Sequence, residues 1–170
     1  MNVFNIIGPI MIGPSSSHTA GAVRLGRVVN KLSGGADFQE LTIELSGSFA
    51  RTYRGHGTDR ALLAGIMGFH SYSEEICDAL DIAKKRGIPY RFVETDIPDA
   101  HPNTARIHFF TRDGAEGSVQ GASIGGGNIR VDFVNGLRVD FTGENNTILV
   151  LHRDRPGLIA SVTNLIYEEY

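Results

Sequence analysis

Several features are missing or scarce in this sequence of 170 residues, and each absence narrows what the chain can be. There is no tryptophan and a single cysteine, Cys77, so the chain can form no internal disulfide and cannot supply the several thiolates of a metal cluster. No apolar run approaches the roughly 18 residues needed to span a bilayer. The N-terminus shows neither a basic region nor a small-residue cleavage site. We therefore expect a cytoplasmic protein with no membrane partner.

Positive charge is not in excess either. The formal net charge is −3, which offers no broad attraction to nucleic acid. The hydrophobic content of 41% and the charged content of 21% are typical of a globular domain. Since a chain of this length buries one main core, we expect one domain over residues 1–145. The polar stretch "TGENN" then separates it from a shorter unit over residues 146–170.

Helical patterns fill much of the first half of the chain. Apolar residues with a helical period run from Thr19 to Leu32, with Ser16 or Ser17 as the expected N-cap. The segment "RTYRGHGTD" is interpreted as a loop. After it, "RALLAGIMGF" predicts a buried second helix capped by Thr58 or Asp59. Acids early and basic residues late predict a third helix over residues 74–86, with the single cysteine near its buried face.

Alternation of apolar and polar residues predicts strands elsewhere. The strand segments are "LTIEL", "PYRFVE", "TARIHFF", "SVQGASIG" and "IRVDFVNGLRVDF", the last a hairpin turning at Asn135 and Gly136. We expect an α+β domain with a mixed or antiparallel sheet and about three helices packed on it. At the end of the chain, "TILVL" predicts a buried strand, followed by a turn with Asp154, Pro156 and Gly157 and an amphipathic helix. The inward residues of that helix would be Leu158, Val162, Leu165 and Ile166.

Three separate segments place histidine beside hydroxyl or amide groups, next to glycine or proline. These residues are Ser15, Ser16, Ser17, His18 and Thr19 in "GPSSSHT", His56 in "GHGTD", and His101 and Asn103 in "HPNT". Each segment alone is explained by a helix cap or a turn, but their joint occurrence favours a site. By contrast, His108 lies in a strand pattern that indicates a cross-strand role, and His70 and His152 have no polar neighbours of this kind.

Such a set of residues suits a small zwitterion. Backbone N–H groups and hydroxyls at a helix start bind a carboxylate, and histidine transfers protons near neutral pH. A phosphate loop is a poor alternative because no Gly-Lys-Ser/Thr follows the serines. These serines do not form a Gly-x-Ser-x-Gly elbow either, although a Ser/His/Asp arrangement without that pattern stays open. A metal site built from His18, His56 and His101 stays open, although their spacing gives it no support.

The motifs "GPSSSHTAGAVRLGR", "GHGTD" and "HPNT", in this order, resemble the beta subunits of the bacterial iron–sulfur-dependent L-serine dehydratases, also called L-serine deaminases. The resemblance covers about residues 3–145. In that family water is removed from L-serine, and the product hydrolyses to pyruvate and ammonia. A [4Fe-4S] cluster held by cysteines of an alpha subunit acts as Lewis acid on the departing hydroxyl. The single cysteine of this chain agrees with a cluster on such a partner and with no metal ligand here.

The resemblance also implies a fold and places these residues at an active-site face near the cluster, and their chemistry suggests a role for each. His18, His56 and His101 would hold or transfer protons, Asn103 would orient the substrate, and the four hydroxyls of Ser15, Ser16, Ser17 and Thr19 would hold its carboxylate. The main domain would be similar to the allosteric substrate-binding domain of some phosphoglycerate dehydrogenases. The terminal "HRDRPGLIASVTNLI" resembles the first strand and helix of a ferredoxin-like ACT domain. A homo- or hetero-oligomer is expected, and the alternative function is a non-catalytic, serine-binding regulatory module.

Overall fold

Alternation of apolar and polar residues builds the central strand. In the computed structural model, which describes residues 9–153 and 155–169, strand β1 runs from Phe38 to Leu45. Leu41, Ile43 and Leu45 are fully buried, whereas Thr42 and Glu44 between them are partly exposed. Successive side chains of a strand point to opposite faces, so β1 has one core face and one polar face.

The strands form a mixed sheet in the order β2-β1-β3-β4-β5-β6. β1 pairs with β2 in parallel, and the other neighbours are antiparallel. The remaining strands are β2 (Tyr90–Glu94), β3 (Thr104–Thr111), β4 (Glu116–Gly125), β5 (Asn128–Val134) and β6 (Leu137–Phe141). Positive φ angles of 51° at Asn135 and 75° at Gly136 confirm the predicted two-residue hairpin turn. The expected α+β class is likewise confirmed.

Helices precede and follow β1 and cover its apolar face. The helical elements are a π-helical turn (Ser16–Gly21), α1 (Ala22–Leu32), α2 (Gly47–His56), α3 (Thr58–Ile66), a 3-10 turn (Glu74–Ile76), α4 (Ala79–Lys85) and α5 (Leu158–Glu169). Residues of α1 and α3 join those of the sheet in one hydrophobic core. The opposite face of the sheet carries polar side chains, among them His108, whose Nε2 lies 3.9 Å from Glu44 Oε1 on the neighbouring strand. His108 therefore has the expected cross-strand position.

Helices α1 and α3 approach each other through glycine. A Cβ atom at Gly65 would overlap the carbonyl oxygen of Val23, and one at Gly26 would overlap that of Leu62. Only glycine leaves room for this backbone contact. The near-continuous apolar sequence of α3 is explained by its burial, because every residue of this helix except Arg60 is buried.

Three local predictions in the helical half were wrong. The N-cap of the first helical segment is Ser15 rather than Ser16 or Ser17, because the segment opens with a π-helical turn. The supposed loop "RTYRGHGTD" is mostly helix: α2 ends at His56, and Gly57, at φ 71°, separates it from α3. Gly57 therefore occupies the cap position of α3, where Thr58 or Asp59 was expected.

The third predicted helix is interrupted, and its cysteine is exposed. Asp78, with φ −109° and ψ 13°, separates the 3-10 turn from α4. The break changes which side chains face inward: Ile76 and Ala79 are buried, whereas Cys77 between them is exposed. The prediction of a buried cysteine assumed one continuous helical period and was wrong.

The end of the chain forms the predicted helix but not the predicted strand. Residues 147–151 have no regular structure, since an isolated strand gains no ladder hydrogen bonds. Helix α5 forms, but it has no buried residue, so the inward face expected for Leu158, Val162, Leu165 and Ile166 is not packed. Asp154 of the expected turn lies outside the described residues. The division at about residue 145 and the ACT-like assignment stay predictions.

None of the helices within residues 9–153 and 155–169 has the length and apolar character that crossing a bilayer requires.

Candidate functional site

The π-helical turn buries His18 and ties it to its own N-cap. The His18 backbone N–H donates to Ser15 Oγ at 3.2 Å, and the Thr19 N–H donates to the Ser15 carbonyl at 2.8 Å. The ring nitrogen Nδ1 of His18 lies 3.4 Å from the same Ser15 hydroxyl. His18 is 9% exposed, whereas Ser16 and Ser17 are partly exposed. π-helical turns are uncommon and occur often at functional sites.

Helix α2 presents a row of polar side chains to the His18 ring. Ser48, Thr52 and His56 are spaced four residues apart, which places them on one face of a helix. Ser48 Oγ and Thr52 Oγ1 lie 3.4 Å and 3.2 Å from His18 Nε2. The ring centroid of His56 is 4.8 Å from that of His18, and buried Phe49 contacts the His18 ring at 5.2 Å between centroids. The first two sequence motifs are therefore brought together at one imidazole.

The third motif packs against the beginning of the same helix. The Pro102 carbonyl accepts hydrogen bonds from the N–H groups of Ser48 (2.6 Å) and Phe49 (3.3 Å). Gly47, with φ 60°, lies so close to Pro102 that a Cβ atom would come within 2.6 Å of the Pro102 carbonyl oxygen. The helix start thus uses its free N–H groups to hold the "HPNT" segment, and Ser48 contacts both that segment and His18.

His101 and Asn103 are anchored locally within this segment. His101 Nδ1 accepts a hydrogen bond from the Asn103 N–H at 3.1 Å. The Asn103 side-chain amide lies 3.4 Å from the Ser123 carbonyl, and the Asn103 carbonyl accepts from the Ser123 N–H at 3.0 Å. Within the described part of the chain, neither a hydrogen bond nor a ring contact joins His101 to His18 or His56. The structure therefore pairs two of the three candidate histidines directly and places the third on an adjoining segment.

Buried hydroxyl groups without partners accompany all three motifs. Among the described residues, the hydroxyls of Thr19, Thr58, Thr104 and Ser123 are buried and make no hydrogen bond. Thr19 and Thr58 belong to the first two motifs, and Thr104 ends the third. Ser123 lies against Gly21 at the end of the π-helical turn. Leaving such a group unpaired costs about 1–3 kcal/mol, so each of the three motifs contains one buried hydroxyl that is held at a cost in stability.

Burial changes the acid–base behaviour of two groups in this region. The pKa of His18 is lowered below its ordinary 6.5, first because burial disfavours the charged ring and second because His56 lies nearby. His18 is therefore held neutral and able to accept a proton. The pKa of Asp59, at the beginning of α3, is raised because burial outweighs the hydrogen bond from the Arg60 N–H and the nearby arginines.

The described residues do not build a metal site. Within 9–153 and 155–169, no group of three or more His, Cys, Asp or Glu side chains is placed to hold a metal ion. The three-histidine arrangement left open by the sequence is thus not formed there.

Sequence reasoning missed Ser48 and Thr52. A signal for them existed: Phe49 and Tyr53 are four residues apart, both are buried in α2, and a glycine follows the helix. An apolar pair at this spacing indicates a helix and would have placed the two hydroxyls on the same face as His56.

Comparison with known proteins gives consistent matches. A family model described as "Serine dehydratase beta chain" matches residues 2–133. The probable L-serine dehydratase beta chain of Bacillus subtilis (strain 168) is 46% identical over 165 residues, which cover 97% of this chain and 74% of that protein. The L-serine dehydratase beta chain of Peptoniphilus asaccharolyticus is 41% identical over 166 residues, with the same coverage of 97% and 74%.

A more distant similarity involves a different enzyme. The D-3-phosphoglycerate dehydrogenase of Synechocystis sp. (strain ATCC 27184 / PCC 6803 / Kazusa) is 29% identical over 148 residues, covering 85% of this chain but 26% of that protein. The similarity therefore concerns a part of the dehydrogenase about as long as the domain described above.

Proposed function

This chain belongs to the serine dehydratase beta-chain family, and from that premise we propose that it acts as the beta subunit of an L-serine dehydratase. The reaction removes water from L-serine, and the resulting enamine hydrolyses to pyruvate and ammonia. One observation carries the proposal: the buried His18 ring is surrounded by hydroxyls of the first motif and of helix α2 and by a second histidine. This environment suits transfer of a proton to or from a small polar substrate.

The candidate residues divide into two roles. We assign proton transfer to His18, His56 and His101, and binding of the substrate carboxylate to Ser15, Ser16, Ser17 and Thr19, with Asn103 orienting the substrate. The partly exposed serines at the start of a helical segment offer hydroxyls beside free N–H groups. Thr19 stays in the set because its buried hydroxyl is one of those left without a hydrogen bond among the described residues.

The iron–sulfur cofactor is proposed to reside on an alpha subunit. The residues of this chain do not fit a [4Fe-4S] cluster: such clusters are held by several cysteine thiolates, and the chain has one cysteine, which is exposed and follows the 3-10 turn rather than lying among the three motifs. The site formed by the three motifs would supply the substrate-binding and proton-transfer half of a shared active site, with the beta chain as part of a hetero-oligomer.

Reconstitution with an alpha subunit under anaerobic conditions tests the proposal. Pyruvate formation should fall by roughly 10²–10⁴-fold for His18→Ala if this side chain transfers a proton, and His56→Ala and His101→Ala should also lose activity. The matched control is His108→Ala, which removes an exposed imidazole on the polar face of the sheet and should keep wild-type turnover. Wild-type turnover in all three site variants, with the cluster intact, would show that the site is not catalytic.

A regulatory serine-binding module is the second candidate. The similarity to part of a D-3-phosphoglycerate dehydrogenase favours it, since the same kind of domain occurs there within a different enzyme. Calorimetric titration of the isolated chain with L-serine distinguishes the two functions. Binding in the millimolar range or tighter without the alpha subunit, combined with full activity of the histidine variants, would favour the regulatory module.

A further inference from the structure

The Thr52 hydroxyl makes two contacts that together fix the position of one hydrogen atom. Thr52 Oγ1 lies 2.8 Å from the carbonyl oxygen of Ser48, one turn earlier in α2, and 3.2 Å from Nε2 of His18. A carbonyl oxygen can only accept, so the single hydroxyl hydrogen of Thr52 points to Ser48. The oxygen then has only lone pairs to offer the imidazole. Nε2 of His18 must therefore carry the hydrogen in this contact.

The opposite ring nitrogen has the complementary environment. Ser15 Oγ accepts a hydrogen bond from the His18 backbone N–H, and a hydroxyl that accepts in this way can still donate its own hydrogen to a second group. Nδ1 of His18 lies 3.4 Å from this oxygen. A neutral imidazole carries one N–H and one unprotonated nitrogen, so with hydrogen on Nε2 the free lone pair is on Nδ1 and faces Ser15.

We propose that Thr52 is a positioning residue that holds neutral His18 as the Nε2–H tautomer, so that Nδ1, on the side of Ser15, is the nitrogen that gains and loses a proton. The proposal rests on the dehydratase function proposed above, and it assigns the transfer to one atom of one ring. A substrate carboxylate held by the serine hydroxyls would then lie on the same side of the ring as the basic nitrogen. Thr52 itself acts through His18.

Ser48 provides a matched comparison because it contacts the same nitrogen without the same constraint. Its hydroxyl lies 3.4 Å from Nε2, and within the described residues it makes no other side-chain hydrogen bond that fixes its hydrogen. The Ser48 hydroxyl can therefore either donate or accept at Nε2. Removing it should leave the tautomer unchanged, whereas removing the Thr52 hydroxyl should not.

Nitrogen-15 NMR of the full chain tests the tautomer directly. The His18 signals are assigned by comparison with His18→Gln and observed near pH 8, where the ring is neutral. The wild type and Ser48→Ala should show almost entirely the Nε2–H tautomer. Thr52→Val, which keeps the shape of threonine, should show a mixture, and Thr52→Ser should restore the wild-type pattern. A dominant Nδ1–H tautomer in the wild type, or an unchanged tautomer in folded Thr52→Val, overturns the proposal.

Turnover of the enzyme reconstituted with an alpha subunit tests the consequence. Thr52→Val should lower kcat by at least about tenfold with little change in KM, since a wrong histidine tautomer impairs proton transfer, and Thr52→Ser should recover most of it. A wild-type kcat in Thr52→Val despite a changed tautomer overturns the positioning role. If His18→Ala also retains full turnover, the proposed function fails as well. The NMR measurement then still decides whether Thr52 sets the tautomer of His18.

Discussion

The rings of His18 and His56 lie 4.8 Å apart between centroids, with their planes at 79°. His18 is buried and His56 is exposed, so the pair joins the interior of the domain to its surface. Because a positive charge on a neighbouring ring disfavours a charge on His18, the position of His56 helps to lower the pKa of His18.

Replacing His56 should raise the pKa of His18. In His56→Gln the electrostatic effect of the second ring is lost, but the larger cause, burial of His18, remains. The pKa of His18 should therefore increase and still lie below 6.5. An NMR titration of the His18 ring measures it. An unchanged pKa would mean that His56 does not act on His18 electrostatically.

The stability of the domain should increase with pH across a window set by His18. Since the folded-state pKa is below 6.5, the unfolded chain binds more protons than the folded one between that lowered pKa and about 6.5. The free energy of unfolding should thus rise with pH through this window and fall on acidification. Urea unfolding at a series of pH values measures the slope. His18→Gln should reduce it, and an unaltered slope would contradict the burial of a neutral ring.

Asp59→Asn should stabilise the domain near pH 7. Burial raises the pKa of Asp59 above 3.8, so the folded state binds the extra proton, and stability decreases as pH rises through the raised pKa. The amide oxygen of asparagine can still accept from the Arg60 N–H, which donates to Asp59 Oδ1 at 2.8 Å, without burying a charge. Urea unfolding at pH 7 and at pH 4 measures the effect. The difference in midpoint between Asp59→Asn and the wild type should be larger at pH 7.

The control for that substitution is Asp78→Asn, which alters an exposed carboxylate and should change stability by no more than about 0.5 kcal/mol. A loss of stability in Asp59→Asn at pH 7 would show that the charged carboxylate is itself required by the fold.

Gly65→Ala should destabilise the domain. The added methyl group would overlap the Val23 carbonyl and force α1 and α3 apart, which typically costs about 1–3 kcal/mol. Gly55→Ala is the matched control, since a Cβ atom there has nothing within 4 Å and alanine favours a helix by roughly 0.5–1 kcal/mol. Thermal unfolding should give opposite changes in Tm. Equal Tm values for the two variants would exclude the close helix contact.

Local patterns predicted those parts of the fold that depend on neighbours in sequence. Strand β1 and the Asn135-Gly136 turn could be predicted, because the alternation of apolar residues and the residue types of a turn depend on only a few neighbouring residues. The interruption at Asp78 and the exposure of Cys77 could not be predicted, since a short break in a helix leaves the average spacing of its apolar residues almost unchanged. The prediction of a strand at residues 147–151 was wrong because an apolar segment does not form a strand without a neighbouring strand to pair with.

The candidate site was predicted in its residue types but not in its geometry. The three motifs were visible as clusters of histidine with hydroxyl or amide groups, and their proximity could be inferred from resemblance. The contact of Ser48 with both His18 and Pro102 depends on how α2 follows β1 and how β3 returns beside it. Such long-range pairing is set by tertiary packing, and the sequence shows no local trace of it.

The π-helical turn from Ser16 to Gly21 makes the length of this segment as important as its composition. Each residue of an α-helix advances the chain by about 100° around the axis, and a π turn contains one residue more than an α turn. Deleting one residue here would replace the π turn by a regular α-helical turn. His18 would then rotate away from α2 by about 100° around the helix axis. A gene altered by a single in-frame codon loss at this point should therefore encode a folded chain that lacks its paired histidines, whereas exchanging partly exposed Ser16 or Ser17 for another residue would leave that pairing in place.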